Sequence, residues 1–332
     1  MVRLAAVKEM FYTFMEEYVC GRPENCRTMF DGASVVEYST IGLQQSVGNI
    51  IKALKTSEDF DVHYTTVADL MEFEDEQDYI LMAKGHHFQA YRDGAYLFPF
   101  LWGGKYEFAV NKERGKIDWI KFYLEYEFGN TYLPKMQWGW KLYEETKELK
   151  TSIVGDYRKY QAIVPREEKE QIRTEIYKLL WDWDNFYVDK CLERVTEDVY
   201  ARVKLFEEVG PSKEYYGKAE FAQLMKDNLA YEDQTQMSVL FEDISLEKDG
   251  NEALVHMKRY NPGKIVNKHV DVSTIHKLFC NMRFTAKLVK QGENWMLKEV
   301  NVTPINDVDA LGFNIKEVKE NELNSVQSAF YR

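Results

Sequence analysis

The segment "LMEFEDEQDYILMAK" (70–84) and the segment "ISLEKDGNEALVHMK" (244–258) carry one pattern twice, at a shift of about 174 residues. Each reads as a strand, an acid-rich turn and a second strand. A pattern repeated at that distance indicates a chain built from two similar units. Working outward, "KYEFAVNKERGKIDWIKF" (105–122) pairs with "NMRFTAKLVKQGENWMLKEV" (281–300), again a hairpin around a glycine-containing turn. Upstream, "VKEMFYTFMEEY" (7–18) places Val7, Met10, Phe11, Phe14, Met15 and Tyr18 on one helical face, and "IRTEIYKLLWDW" (172–183) does the same with Ile172, Ile176, Leu179, Leu180 and Trp183. A shorter helix follows in each half, in "GLQQSVGNIIKALK" (42–55) and "GKAEFAQLMKDN" (217–228).

Helices that precede a run of long strands define an α+β domain. The order predicts two such domains, 1–150 and 165–332, joined through 134–168. Within the joining stretch, "MQWGWKLYEETKELK" reads as a helix and "VPREEKE" as the polar entry to the second domain.

The 332 residues are 45% apolar and 30% charged, an ordinary globular balance, and aromatics reach 14%. The net charge of −12 opposes nucleic-acid backbones, which require clustered Lys and Arg. The N-terminal twenty residues hold acids early and no long apolar run, so they read as neither a signal peptide nor a membrane span. Cys20, Cys26, Cys191 and Cys280 form no CxxC pair, which suits reduced thiols and a cytoplasmic setting.

Two adjacent histidines in "GHHFQAYRDG" (85–94) stand out in a chain that has six. Neighbours on a strand face opposite ways, so one of His86 and His87 points inward.

The sequence resembles two tandem copies of the nuclear-transport-factor-2-like, or SnoaL-like, cone-shaped α+β barrel. The early amphipathic helix, the step "EYSTIGLQQSVGNIIKAL" (37–54) and the closing strand "ENWMLKEVNVTPI" (293–305) carry the likeness. The first half is most similar to the scytalone dehydratase and bile-acid dehydratase type. That resemblance implies catalytic roles for Tyr18 late in the first helix, Tyr38 on the first strand, His63 opening "HYTTVADLMEF", and His86 or His87 on the next strand, with His87 at the favoured parity. Two departures are visible. Val19 stands where those enzymes carry an aspartate, and "WGGKYEF" (102–108) replaces an amide-bearing strand. In the second half Trp183 and Asp184 occupy the helix positions, Met237 replaces the strand-opening histidine, and His256 sits several residues early.

Dehydration beside a carbonyl requires a base, a donor to the enolate oxygen and a proton for the leaving hydroxyl. Histidine and tyrosine supply all three without a metal or other cofactor. A zinc site from His63 and the 86/87 pair lacks a third ligand at matching spacing. The reading is a cofactor-independent lyase or isomerase with its site in the first domain. It acts on a small apolar carbonyl compound, with Phe98 and Trp102 of "YLFPFLW" (96–102) lining the pocket. The second domain supports it by pairing within the chain, and the surface is compatible with a homo-oligomer. The alternative is a non-catalytic binding or assembly module whose interior only holds a ligand or is filled by side chains. The turn "EFEDEQD" (72–78) reads as a solvated hairpin end.

Overall fold

The computed structural model describes residues 2–39, 41–55, 60–93, 96–129, 157–185, 187–204, 212–229, 238–247, 249–261 and 280–306. Two compact units divide between Ile163 and Val164. The segment 136–150, read from sequence as a helix, and Met237 lie outside the described residues.

In the first unit, α1 (Leu4–Val19) and a 3-10 turn (Pro23–Met29) precede β1 (Val35–Tyr38), β2 (Gly42–Gln45) and α2 (Val47–Leu54). Four long strands follow: β3 (Phe60–Glu74), β4 (Asp78–Asp93), β5 (Tyr96–Asn111) and β6 (Ile117–Gly129). The sheet order is β2-β1-β6-β5-β4-β3-β7, where β7 (Gln161–Ala162) adds a short edge after the joining stretch. Neighbours are antiparallel except β1 and β6, which run parallel. Among the described residues the sheet ends β2 and β7 are not paired with each other, and α1 packs on one face of this mostly antiparallel sheet, as the α+β reading requires.

The spacing in α1 does what periodicity requires. Val7, Phe11, Phe14, Met15 and Tyr18 are all buried, while Tyr12 is exposed. That stripe lies on one face of the sheet, where Phe11 meets Phe108 with ring centroids 5.0 Å apart. Leu81 and Ala83 of β4, Trp102, Tyr106, Phe108 and Val110 of β5, and Ile120, Phe122 and Leu124 of β6 complete this interior.

The second unit repeats the order. It runs α3 (Glu168–Asp184), α4 (Val188–Glu193), β8 (Val195–Val203), β9 (Lys213–Tyr216), α5 (Gly217–Leu229), β10 (Ser238–Leu246), β11 (Glu252–Asn261), β12 (Cys280–Gln291) and β13 (Asn294–Asn306). Its sheet order is β10-β11-β12-β13-β8-β9, with β8 and β13 parallel. Its core joins Ile172, Ile176 and Leu180 of α3 to Val255, Met257, Phe284 and Val300 of the sheet. The chain is therefore two tandem α+β units, each with helices ahead of a mostly antiparallel sheet. No helix among the described residues is long and apolar enough to cross a membrane.

The opposite face of the first sheet is also buried, and it holds charges. Lys84 Nζ lies 3.2 Å from Asp69 Oδ2, and Lys105 Nζ lies 2.6 Å from Glu125 Oε1, with all four residues almost fully covered. Lys84 and Lys105 are direct cross-strand partners, so like charges adjoin and each needs its own acid. Glu107 on the same face accepts hydrogen bonds from Trp119 Nε1 at 3.0 Å and Tyr160 Oη at 2.5 Å. Tyr157 stacks on Phe73, so residues 157–162 are strapped to the first sheet.

The acidic hairpin departs from the sequence reading. Asp75 Oδ1 caps the turn by accepting from the backbone N–H groups of Gln77 and Asp78. Asp78 itself is buried, and its carboxyl is pushed up to about 7, chiefly by burial and then by the neighbouring Asp118 and Asp75 charges. Its folded-state pKa lies above the unfolded value, so its ionisation weakens the fold as pH rises through that interval. Asp78→Asn is expected to raise the urea midpoint at pH 8, with the gain shrinking at pH 5. An equal gain at both values would contradict the burial of an ionisable carboxyl.

Candidate active site in the first unit

Pleating settles the histidine pair. His87 lies on the interior face of β4 with Ala83 and Leu81 and is fully buried, whereas His86 turns to the opposite face beside Lys84. The two imidazole nitrogens of His87 are both engaged. Nδ1 is 2.8 Å from Thr65 Oγ1, the residue directly across on β3. Nε2 is 3.0 Å from Tyr106 Oη on β5. Trp102, directly across on that strand, leans over the imidazole with centroids 4.2 Å apart. Gln89 fixes this tryptophan: its Oε1 accepts from Trp102 Nε1 at 2.8 Å, and its Nε2 donates to the Val19 carbonyl at the end of α1 at 2.7 Å.

Gly85 makes the arrangement feasible. A Cβ there would lie 2.6 Å from Tyr106 Cε2 and 2.7 Å from His87 Nε2. Glycine lets the imidazole and the phenol meet over bare backbone. Gly104, its cross-strand partner, sits at a bulge where a Cβ would fall 1.9 Å from the Tyr123 carbonyl oxygen.

Tyr18 and Tyr38 join the same interior. Their rings lie 5.7 Å apart, Tyr18 meets Trp102 at 5.9 Å, and Tyr38 meets Tyr106 at 6.3 Å. Tyr38 is fully buried and its hydroxyl has no hydrogen-bond partner among the described residues. Burial pushes both phenols far up, so both stay protonated donors at neutral pH.

His63 is placed differently. It pairs across from Gln89 and so shares the interior parity of β3, but its side chain is exposed. This end of β3 has no described outer neighbour, because β7 pairs only with Phe73 and Glu74. The structure therefore brings Tyr18, Tyr38, His87 and Trp102 together and leaves His63 at the rim. Phe98 lies in β5, and its side chain is outside the described residues. Thr65, Gln89 and Tyr106 are site residues that sequence reasoning missed. The signal available for Tyr106 was its even spacing from Trp102 in "WGGKYEF", which puts both on one strand face.

Burial drives the His87 imidazole well below its ordinary range, with His86 adding a smaller push. Burial, and then the Lys84 charge, moves His86 down to about 3. Among the described residues no cluster of three or more His, Cys, Asp or Glu is placed to hold a metal ion.

The second unit fills the matching positions otherwise. Gly85 and Arg259 are each the eighth residue of their strands, β4 and β11. Arg259 Nη2 donates to Asp184 Oδ2 at 2.6 Å, and both residues are buried. Phe284 opposes Met257 as Tyr106 opposes Ala83, and Asn261 opposes Cys280 as His87 opposes Trp102. His256 is exposed, on the other face of β11 from Arg259. The second interior thus holds an ion pair where the first holds a histidine–tyrosine contact.

No family model and no curated protein matches the chain. Solved structures similar to it include a ketosteroid isomerase-like protein from Erwinia carotovora atroseptica, at 14% identity, TM-score 0.32, covering 43% of this chain and 99% of that one. An NTF2-like protein from Cytophaga hutchinsonii is similar at 14% identity and TM-score 0.30, over 42% of this chain and 99% of its own. An NTF2-like protein with a cystatin-like fold from Novosphingobium aromaticivorans is similar at 13% identity and TM-score 0.32, over 46% and 90%. The fold described above rests on the two sheets of this chain and their registers.

Two outcomes are expected from this geometry. Gly85→Ala overpacks the imidazole–phenol contact and should cost about 1–3 kcal/mol in urea unfolding, whereas Gly32→Ala, with nothing within 4 Å of its added Cβ, should cost less than about 1 kcal/mol. Equal costs would refute the close approach at Gly85. The folded-state pKa of His87 lies below the unfolded value of 6.5. The stability it carries is therefore present above that pH and lost as pH falls beneath it. NMR of the His87 ring should show it neutral at pH 5, and titration near 6.5 would contradict the burial.

Proposed function

We propose that the first unit is a cofactor-independent lyase or isomerase acting on a small, neutral, largely apolar carbonyl compound. The observation that carries this reading is the Tyr38 hydroxyl, fully buried and without a hydrogen-bond partner among the described residues, in an interior shared with Tyr18, Tyr106 and His87. A buried donor left unpaired costs about 1–3 kcal/mol, and a ligand oxygen seated against it removes that cost. The interior face described here carries no cationic side chain, so an uncharged ligand suits it. Phenol donors aimed at a carbonyl oxygen stabilise the enolate that forms when the adjacent carbon loses a proton. His63, at the rim on the same strand face as Thr65, is the base in this reading, with its exposed ring able to pass the proton to water. Trp102 and Gln89 form the wall behind the ring of His87.

A second reading has a specific observation in its favour. The interior rings pack against one another at centroid separations between 4.2 and 6.4 Å, as they would in a filled core. On that reading the unit is a binding or assembly module without turnover.

The two readings separate on variants assayed against a panel of cyclic β-hydroxy ketones and β,γ-unsaturated ketones. Tyr38→Phe should lower kcat by about a hundred- to a thousandfold, as loss of one oxyanion donor does. His63→Ala should lower it by about a hundredfold or more, while Asp184→Asn in the second unit should change it less than about tenfold. Wild-type activity in Tyr38→Phe, or no turnover of any panel member by the parent chain together with no ligand-induced shift in Tm, favours the filled-core module.

A further inference from the structure

We propose that the interior of the second unit is a binding site for a small carboxylic acid with an apolar body, its carboxylate held by the Arg259 guanidinium. The site goes beyond the reaction proposed for the first unit and does not depend on it.

β11 alternates strictly along its second half. Val255, Met257 and Arg259 are buried while His256 and Lys258 are exposed, so Arg259 projects from the strand face that carries the core. Only 6% of Arg259 is exposed. A guanidinium keeps its charge at any working pH and offers several N–H donors in a fixed fork. Asp184, the last residue of α3, takes one nitrogen of that fork, Nη2, at 2.6 Å. Nε is buried as well and has no hydrogen-bond partner among the described residues. Other cations of α3 and its surroundings are held by acids at more than one point: Arg173 by Glu170 and Glu242, and Arg194 by Glu175 and Asp182. An ionised donor left unpaired in an interior is more costly than a neutral one. A ligand that accepts from Nε removes that cost.

The surroundings choose the ligand. Two adjacent N–H groups of a guanidinium match the two oxygens of a carboxylate, and a charged acceptor makes the stronger hydrogen bond. Asp184 already offsets part of the Arg259 charge, so a singly charged anion suits the site better than a doubly charged phosphate. The remaining wall is apolar. Val239 and Met282 lie directly across from Arg259 on β10 and β12, and Trp183, beside Asp184, meets Phe221 edge-on at 5.3 Å. Met282 and Asp184 are 8% and 7% exposed, whereas Leu288 and Leu297 further along the same sheet are 2% and 1% exposed. Solvent therefore reaches this interior at the Arg259 end, where a ligand would enter.

The test is isothermal titration calorimetry of the full chain with isovalerate and benzoate at millimolar concentration in a carboxylate-free buffer, with benzamide as the neutral counterpart of benzoate. At least one of the two acids should bind, and benzamide should bind about tenfold or more weakly than benzoate. Arg259→Met combined with Asp184→Leu removes both buried charges together, so neither is left unpaired, and it should abolish binding of the acid. In a nitrogen–proton correlation spectrum of the parent chain, the Arg Nε–H signal that this double variant lacks should move as the acid is added. Binding of neither acid, equal affinity for benzamide and benzoate, or unchanged affinity in the folded double variant overturns the proposal. If the double variant does not fold, a crystal structure of the parent chain with the bound acid decides: a carboxylate on Arg259 supports the site, and an acid seated elsewhere overturns it.

Discussion

The hydrogen bond between His87 Nε2 and Tyr106 Oη is the contact on which the first interior depends. It crosses from β4 to β5 over Gly85, where any side chain would strike both rings. Around it the strands bring Thr65 to the far nitrogen and Trp102 over the ring face. α1 closes the assembly by offering Tyr18 to the aromatic cluster and the Val19 carbonyl to Gln89. A polar pair this deeply covered is stable only while each partner satisfies the other.

The second unit shows what the same topology becomes when that constraint is lifted. With Arg259 at the strand position of Gly85, a side chain stands where the first unit leaves bare backbone, and Asp184 from α3 supplies the counter-charge of its guanidinium. Phe284 at the strand position of Tyr106 has no hydroxyl to offer. One replacement removes the room for the contact and the other removes its phenol hydroxyl. The fold survives both, because Phe284 joins Ile172, Ile176 and Val255 in an apolar core and the buried Arg259 is paired with Asp184. Fold and site are separable here, as they are in many superfolds.

Much of the architecture was legible in the sequence. The duplicated hairpins, the helical stripes and their order predicted two α+β units because apolar periodicity records burial directly. The family resemblance singled out Tyr18 and Tyr38 and strand parity favoured His87, and the three side chains lie in one interior. Three things were not legible. Thr65 and Gln89 look like ordinary strand polars, and only the cross-strand register shows what they touch. Lys84, Lys105, Glu107 and Glu125 alternate with apolar residues as outward-facing charges would, yet both faces of the first sheet are covered. His63 shares the inner parity of its strand, but parity does not report that the strand has no described neighbour on its outer side at that end. Each miss comes from an interaction between elements distant in sequence.

The central claim is that the first interior is built on the His87–Tyr106 hydrogen bond over Gly85 and is not merely a packed aromatic core. The measurement that tests it most directly is a neutron diffraction map of crystals of the perdeuterated full chain, in which the deuterons of His87 and Tyr106 are seen individually. The account predicts one deuteron between His87 Nε2 and Tyr106 Oη and a neutral imidazole. No deuteron between those two atoms, or an imidazolium, would contradict it.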